Sequence, residues 1–142
     1  MALVLDTSGL LAAIDAAQRQ HGPAREALES ADGPLLVSPF VLAELDCLLA
    51  TKVGRREQLA LLAEVERGAY RLEPFTAADV AAARAVLQRY ADLDLGLADA
   101  SNVVLAGRHD TLDLLTLDER HFRAVGSLRN QPFRLLPSDS AL

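Results

Sequence analysis

Asp6, Glu44, Asp99 and Asp118 are the residues of this chain whose types and spacing could do chemistry together. Asp6 directly follows the apolar run Ala2-Leu3-Val4-Leu5, and Asp118 follows Leu114-Leu115-Thr116-Leu117. Each is therefore expected at the carboxyl end of a short strand, while Asp99 falls in the first turn of a predicted helix. Singly, all three have a plain structural use, because an Asp at a helix start accepts free amides and complements the dipole. Glu44 is different. On a helix opening at Pro39, the residues Val41, Glu44, Leu45 and Leu48 share one face, so an acid interrupts an apolar stripe. An acid buried there needs either an Arg partner or a bound cation.

Jointly, the four acids can meet at one rim of a sheet. Packed carboxylates repel one another and take up protons or cations. All-oxygen donors of this kind select Mg²⁺ or Mn²⁺ over zinc. A site with one or two such ions suits phosphodiester hydrolysis, since the metal acidifies water and offsets charge on the pentavalent transition state.

The elements that must position these acids follow from apolar patterning. Strands are expected at residues 2–6, 35–37, 70–73, 114–117 and 133–136. Helices are expected at 8–16, 23–31, 39–53, 55–67, 76–90 and 97–108, with a short one after Asp118. Ser38-Pro39 supplies an N-cap and a first-turn proline, and Thr76 with Asp79 forms a capping-box pattern. Strands alternating with helices predict an α/β fold around a mostly parallel sheet. Sites in such sheets form beyond the carboxyl ends of the strands.

The 142 residues, 51% hydrophobic and 24% charged, fit one globular domain spanning residues 1–142. The net charge of −6 argues against a general nucleic-acid coat protein, which would be basic. Thirteen of the fourteen basic residues are Arg, Lys52 being the exception. That choice suits phosphate contacts and equally suits a GC-rich genome. Of the basic clusters, Arg120, His121 and Arg123 lie nearer the acids than Lys52, Arg55 and Arg56, and a solvated face is the alternative for both. His109 and His121 lack a second His at i+4 and are expected at the surface or behind the site. The single Cys47 sits in an apolar run and is expected as a small buried hydrophobe. No signal-peptide pattern opens the chain, and no apolar stretch reaches the roughly 20 residues that span a bilayer. A cytoplasmic protein with no membrane partner is expected.

Four segments then resemble one family. Val4-Leu5-Asp6-Thr7-Ser8-Gly9-Leu10-Leu11-Ala12 is similar to the opening motif of PIN domains, and Ser38-Pro39-Phe40-Val41-Leu42-Ala43-Glu44-Leu45 to the second. Leu97-Ala98-Asp99-Ala100-Ser101 and Leu115-Thr116-Leu117-Asp118-Glu119-Arg120-His121-Phe122 are similar to the third and fourth. Order and length resemble the VapC-type toxins of bacterial toxin–antitoxin pairs. The resemblance implies a three-layer PIN-like fold and a Mg²⁺- or Mn²⁺-dependent endoribonuclease. It carries metal-binding roles onto Asp6 and Asp99, and supporting catalytic and metal roles onto Glu44 and Asp118. It also places the hydroxyls of Thr7 and Thr116 beside the site. Asn102, one turn past Asp99, stands where the family is frequently apolar; it either adds a polar wall or faces water.

The implied partners are an RNA substrate, tRNA or ribosomal RNA, a cognate VapB-like antitoxin and a second copy in a homodimer. Apolar residues on more than one face of the helices at 39–53 and 55–67, among them Leu42, Leu49, Leu59, Leu62 and Val65, suggest a groove between those helices for a partner segment. Their alternative use is the monomer core. An aspartyl-phosphate hydrolase is disfavoured, because position 8 is Ser rather than a second acid and no Lys occurs late in the chain. A PIN-like module that binds without cutting is the competing function, though it would have no need of four mutually repelling acids.

Overall fold

The computed structural model describes residues 1–140; the last two positions of the expected 1–142 domain lie outside the described residues. Five short strands form one sheet: β1 (Leu3–Leu5), β2 (Leu35–Val37), β3 (Arg71–Leu72), β4 (Asp113–Leu115) and β5 (Arg134–Leu136). Their order is β3-β2-β1-β4-β5 and every pairing is parallel. Sequence patterning predicted a mostly parallel sheet; among the described residues it is wholly so.

Alternation along β1 explains the three layers. Leu3 and Leu5 point to one face, with Leu10, Leu45, Leu49 and Leu61, while Val4 points to the other, with Val103, Leu105 and Phe122. On the first face lie α1 (Thr7–Ile14), α2 (His21–Glu29), α3 (Pro39–Leu48) and α4 (Arg55–Glu66). On the second lie α5 (Ala77–Arg89), α6 (Leu97–Arg108) and α7 (Glu119–Ala124). Buried on both sides, the strands read as continuous apolar runs, as parallel strands do.

Local chemistry sets most boundaries. Ser38 Oγ accepts the Phe40 N–H at 3.1 Å to start α3. Thr76 and Asp79 close the expected capping box, with Thr76 N–H donating to Asp79 Oδ2 at 2.8 Å. The helix expected to run to Val53 is α-helical only to Leu48, then continues as a π-turn over Leu49–Val53. Thr51 Oγ1 donates to the Cys47 carbonyl at 2.8 Å, a back-bond that distorts helices, and Gly54 ends the turn by bonding Leu49 O.

Two burial expectations fail on α3. Its inward stripe is Val41, Leu45 and Leu49. Cys47 lies off that stripe and is exposed, so it is not a buried hydrophobe. Glu44 is exposed too; it sits at the edge of the stripe rather than within it, and no buried ion pair is required of it.

Candidate active site

Strand order reverses at β1, whose neighbours β2 and β4 feed helices on opposite faces. The carboxyl ends of β1 and β4 border the crevice that such a switch point opens. Asp6 sits there. Its N–H extends the ladder to Leu115 O at 2.9 Å, and its side chain makes no capping bond to α1. The helix-cap explanation therefore does not account for Asp6.

Both of its carboxylate oxygens are gripped instead. Thr116 Oγ1 donates to Oδ2 at 2.7 Å, Ser8 Oγ donates to the same oxygen at 3.2 Å, and Asn102 Nδ2 donates to Oδ1 at 3.1 Å. Ser8 also lies 3.2 Å from Thr116 Oγ1 and accepts the Leu117 N–H at 2.9 Å. This closeness of α1 to β4 depends on Gly9, where a Cβ would come within 2.4 Å of Leu115 O. Asp6 is only 4% exposed. Burial pushes its carboxyl up to about 6; the Thr116 hydrogen bond opposes the rise and the Asp99 charge adds to it.

Asp99 and Asp118 act partly as caps. Asp99 Oδ2 accepts the Gly96 N–H at 3.1 Å in the first turn of α6. Asp118 Oδ1 accepts the His121 N–H at 3.3 Å at the start of α7, and its own N–H donates to Thr116 Oγ1 at 3.0 Å. Capping does not exhaust Asp99, whose carboxyl is raised first by burial and further by the charges of Asp118 and Glu44. The Gly96 N–H and His121 pull the other way.

All four predicted acids line one open cavity of about 540 Å³, together with Thr7, Ser8 and Phe40. Glu44 is the most exposed of the acids, at the mouth. Thr7 Oγ1 is buried without a hydrogen-bond partner. Among the described residues, no three Asp, Glu, His or Cys side chains form a ready-made metal cage. The donor set nevertheless fits a hard divalent cation, which keeps several waters and needs only one or two carboxylates directly. Two acids raised first by burial and then by neighbouring carboxylates, Asp6 by Asp99 and Asp99 by Asp118 and Glu44, are what such a cation would relieve.

The remaining sequence candidates separate cleanly. His121 stands behind the site, its Nδ1 2.9 Å from Asp118 Oδ2. His109 is remote from the cavity and pairs with the buried Glu73, beside Arg108. Three further acids near these segments do not line the cavity: Asp92 and Asp94 are exposed loop residues, and Asp46 accepts a bond from Gln58. Arg123 is not a free phosphate ligand: it forks onto Asp139 at 2.6 and 2.7 Å and also reaches Glu119. Ser8 is the site residue that sequence reasoning missed. Its signal was position, since a hydroxyl two residues after a strand-end Asp can fold back onto that carboxylate.

The helix faces also sort differently from expectation. Leu49 is in the core and Leu42 and Val65 pack against it, while Leu59 and Leu62 are exposed. The large groove, about 740 Å³, lies between α2 and α4 rather than between α3 and α4. Ile14, Leu28, Leu61 and Tyr70 line it, with Arg25, Arg56 and Glu64. No helix among the described residues is long and apolar enough to cross a membrane.

Fold and site together define an α/β protein with an acidic, oxygen-donor cleft at its topological switch point. The chain belongs to the PIN domain family, whose signature matches residues 3–128, and within it to the VapC ribonucleases. It is 44% identical to ribonuclease VapC26 of Mycobacterium tuberculosis over 95% of this chain and 100% of that protein. The crystal structure of M. tuberculosis VapC20, a sarcin–ricin loop cleaving toxin, is similar at a TM-score of 0.76 and 25% identity, covering 82% of this chain and 89% of that one. VapBC2 from Rickettsia felis, solved on a promoter DNA fragment, shares the fold at a TM-score of 0.67 and 21% identity, over 95% of this chain and 98% of its own.

Proposed function

We propose that this chain is an endoribonuclease dependent on Mg²⁺ or Mn²⁺, the toxin of a toxin–antitoxin pair, with RNA cut at the Asp6 cavity. The observation that carries the reading is the grip on Asp6: three side-chain donors hold a nearly buried carboxylate beside three further acids. A structural carboxylate would pair with a cationic side chain, whereas these donors leave a charged oxygen surface facing the cavity. The ribonuclease name of the 44% identical relative supports RNA as the substrate. The VapC20 likeness favours ribosomal RNA, with tRNA as the other target class.

Thr116 and Ser8 fix Asp6 Oδ2, and Asn102 fixes Oδ1, so Asp6 presents one orientation. Gly96 steadies Asp99 through Oδ2, and His121 N–H steadies Asp118 through Oδ1. A divalent cation bound there supplies positive charge for the phosphorane-like transition state and makes the attacking water more acidic. Exposed Glu44 meets the incoming strand first and completes the acidic ring from the mouth. A VapB-like antitoxin is the natural restraint on such an enzyme, and an Arg from it would bridge two of these carboxylates in place of the cation. The groove between α2 and α4 offers the apolar surface for the rest of that partner. We place the protein in the cytoplasm, where its RNA is, and as a homodimer, the commonest closed assembly.

The test is to map new 5′ ends in RNA from cells expressing the chain. Discrete cleavage sites that vanish with Asp6→Asn are expected. Identical end patterns from the parent and the variant would remove the nuclease reading.

A further inference from the structure

Asn102 is completely buried in α6, one turn past Asp99, among Ala100, Val103, Val104 and Leu105. Its Nδ2 has one side-chain acceptor, Asp6 Oδ1 at 3.1 Å. Its Oδ1 is buried and has no partner. Buried polar atoms are nearly always satisfied, and an orphaned carbonyl costs stability. A leucine of similar size would fill the same space with no orphan. The amide is thus poorly explained by packing, and its one interaction is with the central acid of the cavity.

Geometry shows what that interaction adds. Thr116 and Ser8 both hold Asp6 Oδ2, on the same side of the carboxylate. Held there alone, the group can pivot about Oδ2 and swing Oδ1. Asn102 stops the pivot from the opposite side. The orientation of the amide is also determined, because turning it over would set Oδ1 against a carboxylate oxygen.

We propose that Asn102 is a positioning residue that locks the orientation of the Asp6 carboxylate, and through it sets how tightly the cavity holds a divalent cation. The second half rests on the cation reading above; the first half does not. Residues that orient metal-binding carboxylates change affinity about 10- to 100-fold when removed.

The test compares the full chain with Asn102→Leu, and with Asn102→Ala should leucine not fold cooperatively. Isothermal titration with Mn²⁺ is expected to show affinity weaker by about tenfold or more. With RNA, kcat should fall while KM stays within about twofold, a split that loss of packing would not produce. Unchanged Mn²⁺ affinity in a parent that binds Mn²⁺ would overturn the positioning role. A metal-free readout keeps the two halves separate: a double-mutant cycle of urea midpoints with Asp6→Ala, which removes the carboxylate that the Asn102 amide grips. Non-additive shifts are expected, because the amide's partner is the Asp6 charge. Additive shifts overturn the lock whatever the cation does. Coupling in the cycle with no Mn²⁺ binding by the parent upholds the lock and sinks the cation reading instead.

Discussion

Thr116 Oγ1 donates to Asp6 Oδ2 at 2.7 Å, joining the carboxyl ends of β1 and β4 across the switch point. The same hydroxyl accepts the Asp118 N–H at 3.0 Å, so one side chain orders two of the four acids. Thr116→Val keeps the shape and removes both bonds. We expect kcat to fall about 10- to 100-fold. The acid limb of the pH–rate profile at limiting Mn²⁺ should move to higher pH, because the Thr116 bond is what opposes the burial-driven rise at Asp6. A profile that stays in place would show that the bond does not tune Asp6.

Stability should depend on pH with a sign set by Asp6. Its folded carboxyl is raised from the ordinary 3.8 to about 6. Between those values the unfolded chain has released a proton that the folded chain retains, so metal-free stability falls as pH rises through that window. A shift of about two units corresponds to roughly 3 kcal/mol. Urea unfolding with chelator should therefore show a stability loss from pH 4 to pH 7 that Asp6→Asn reduces, the remainder coming from Asp99, which is raised in the same direction. The Asn can keep its oxygen toward Asn102 and its amide toward Ser8 and Thr116, whose hydroxyls can accept. Asp139 acts in a separate window: the Arg123 fork holds it down at about 2, so its contribution disappears only as pH falls below 3.8. A flat curve from pH 4 to pH 7 would refute the Asp6 assignment.

Gly9 should be intolerant of a methyl group. A Cβ there would meet Leu115 O and C at 2.4 and 2.5 Å, both backbone atoms that cannot swing aside. Gly9→Ala is expected to cost about 1–3 kcal/mol, the range for overpacking. It should also reduce cleavage, because pushing α1 off β4 separates Ser8 from Asp6 and Thr116. Thermal melts together with a cleavage assay check both parts; a variant as stable as the parent would mean the contact relaxes freely.

Much of this was legible in the residues. Asp6, Asp99 and Asp118 were placed by apolar runs ending in an acid and by helix starts, both strong local signals. A mostly parallel sheet followed from strand–helix alternation, and among the described residues every pairing is parallel. Glu44 was identified for a reason that needs correction: helical spacing put it on the apolar stripe, yet the true stripe is Val41, Leu45 and Leu49, which leaves Glu44 exposed at the mouth. A period of 3.6 cannot distinguish the centre of a buried face from its edge. The same ambiguity misplaced Cys47. Two partners of Asp6 were harder to read, because Asn102 and Thr116 meet it through tertiary approach across 96 and 110 positions; Ser8, only two residues on, was a local contact that the pattern of acids alone did not single out. The π-turn at Leu49–Val53 and the α2–α4 groove likewise depend on packing that no local pattern encodes.

Control by a partner predicts its own signature. Co-expression with the product of the adjacent gene should give a stable complex in which RNA cleavage is suppressed. Replacing the partner's Arg that reaches the cavity should restore part of the cleavage while the complex survives gel filtration, since the α2–α4 groove would still hold the remainder. An adjacent product that neither binds nor inhibits would weaken the toxin reading and leave the nuclease reading standing.

The most direct measurement is cleavage of a purified RNA by the purified chain in EDTA, then with Mg²⁺ or Mn²⁺ restored, beside Asp99→Asn prepared identically. The account predicts no cleavage in chelator, recovery on adding either ion, and a folded Asp99→Asn that stays inactive at every ion concentration. Full cleavage in EDTA, or an Asp99→Asn variant that cuts at the parental rate, would contradict it.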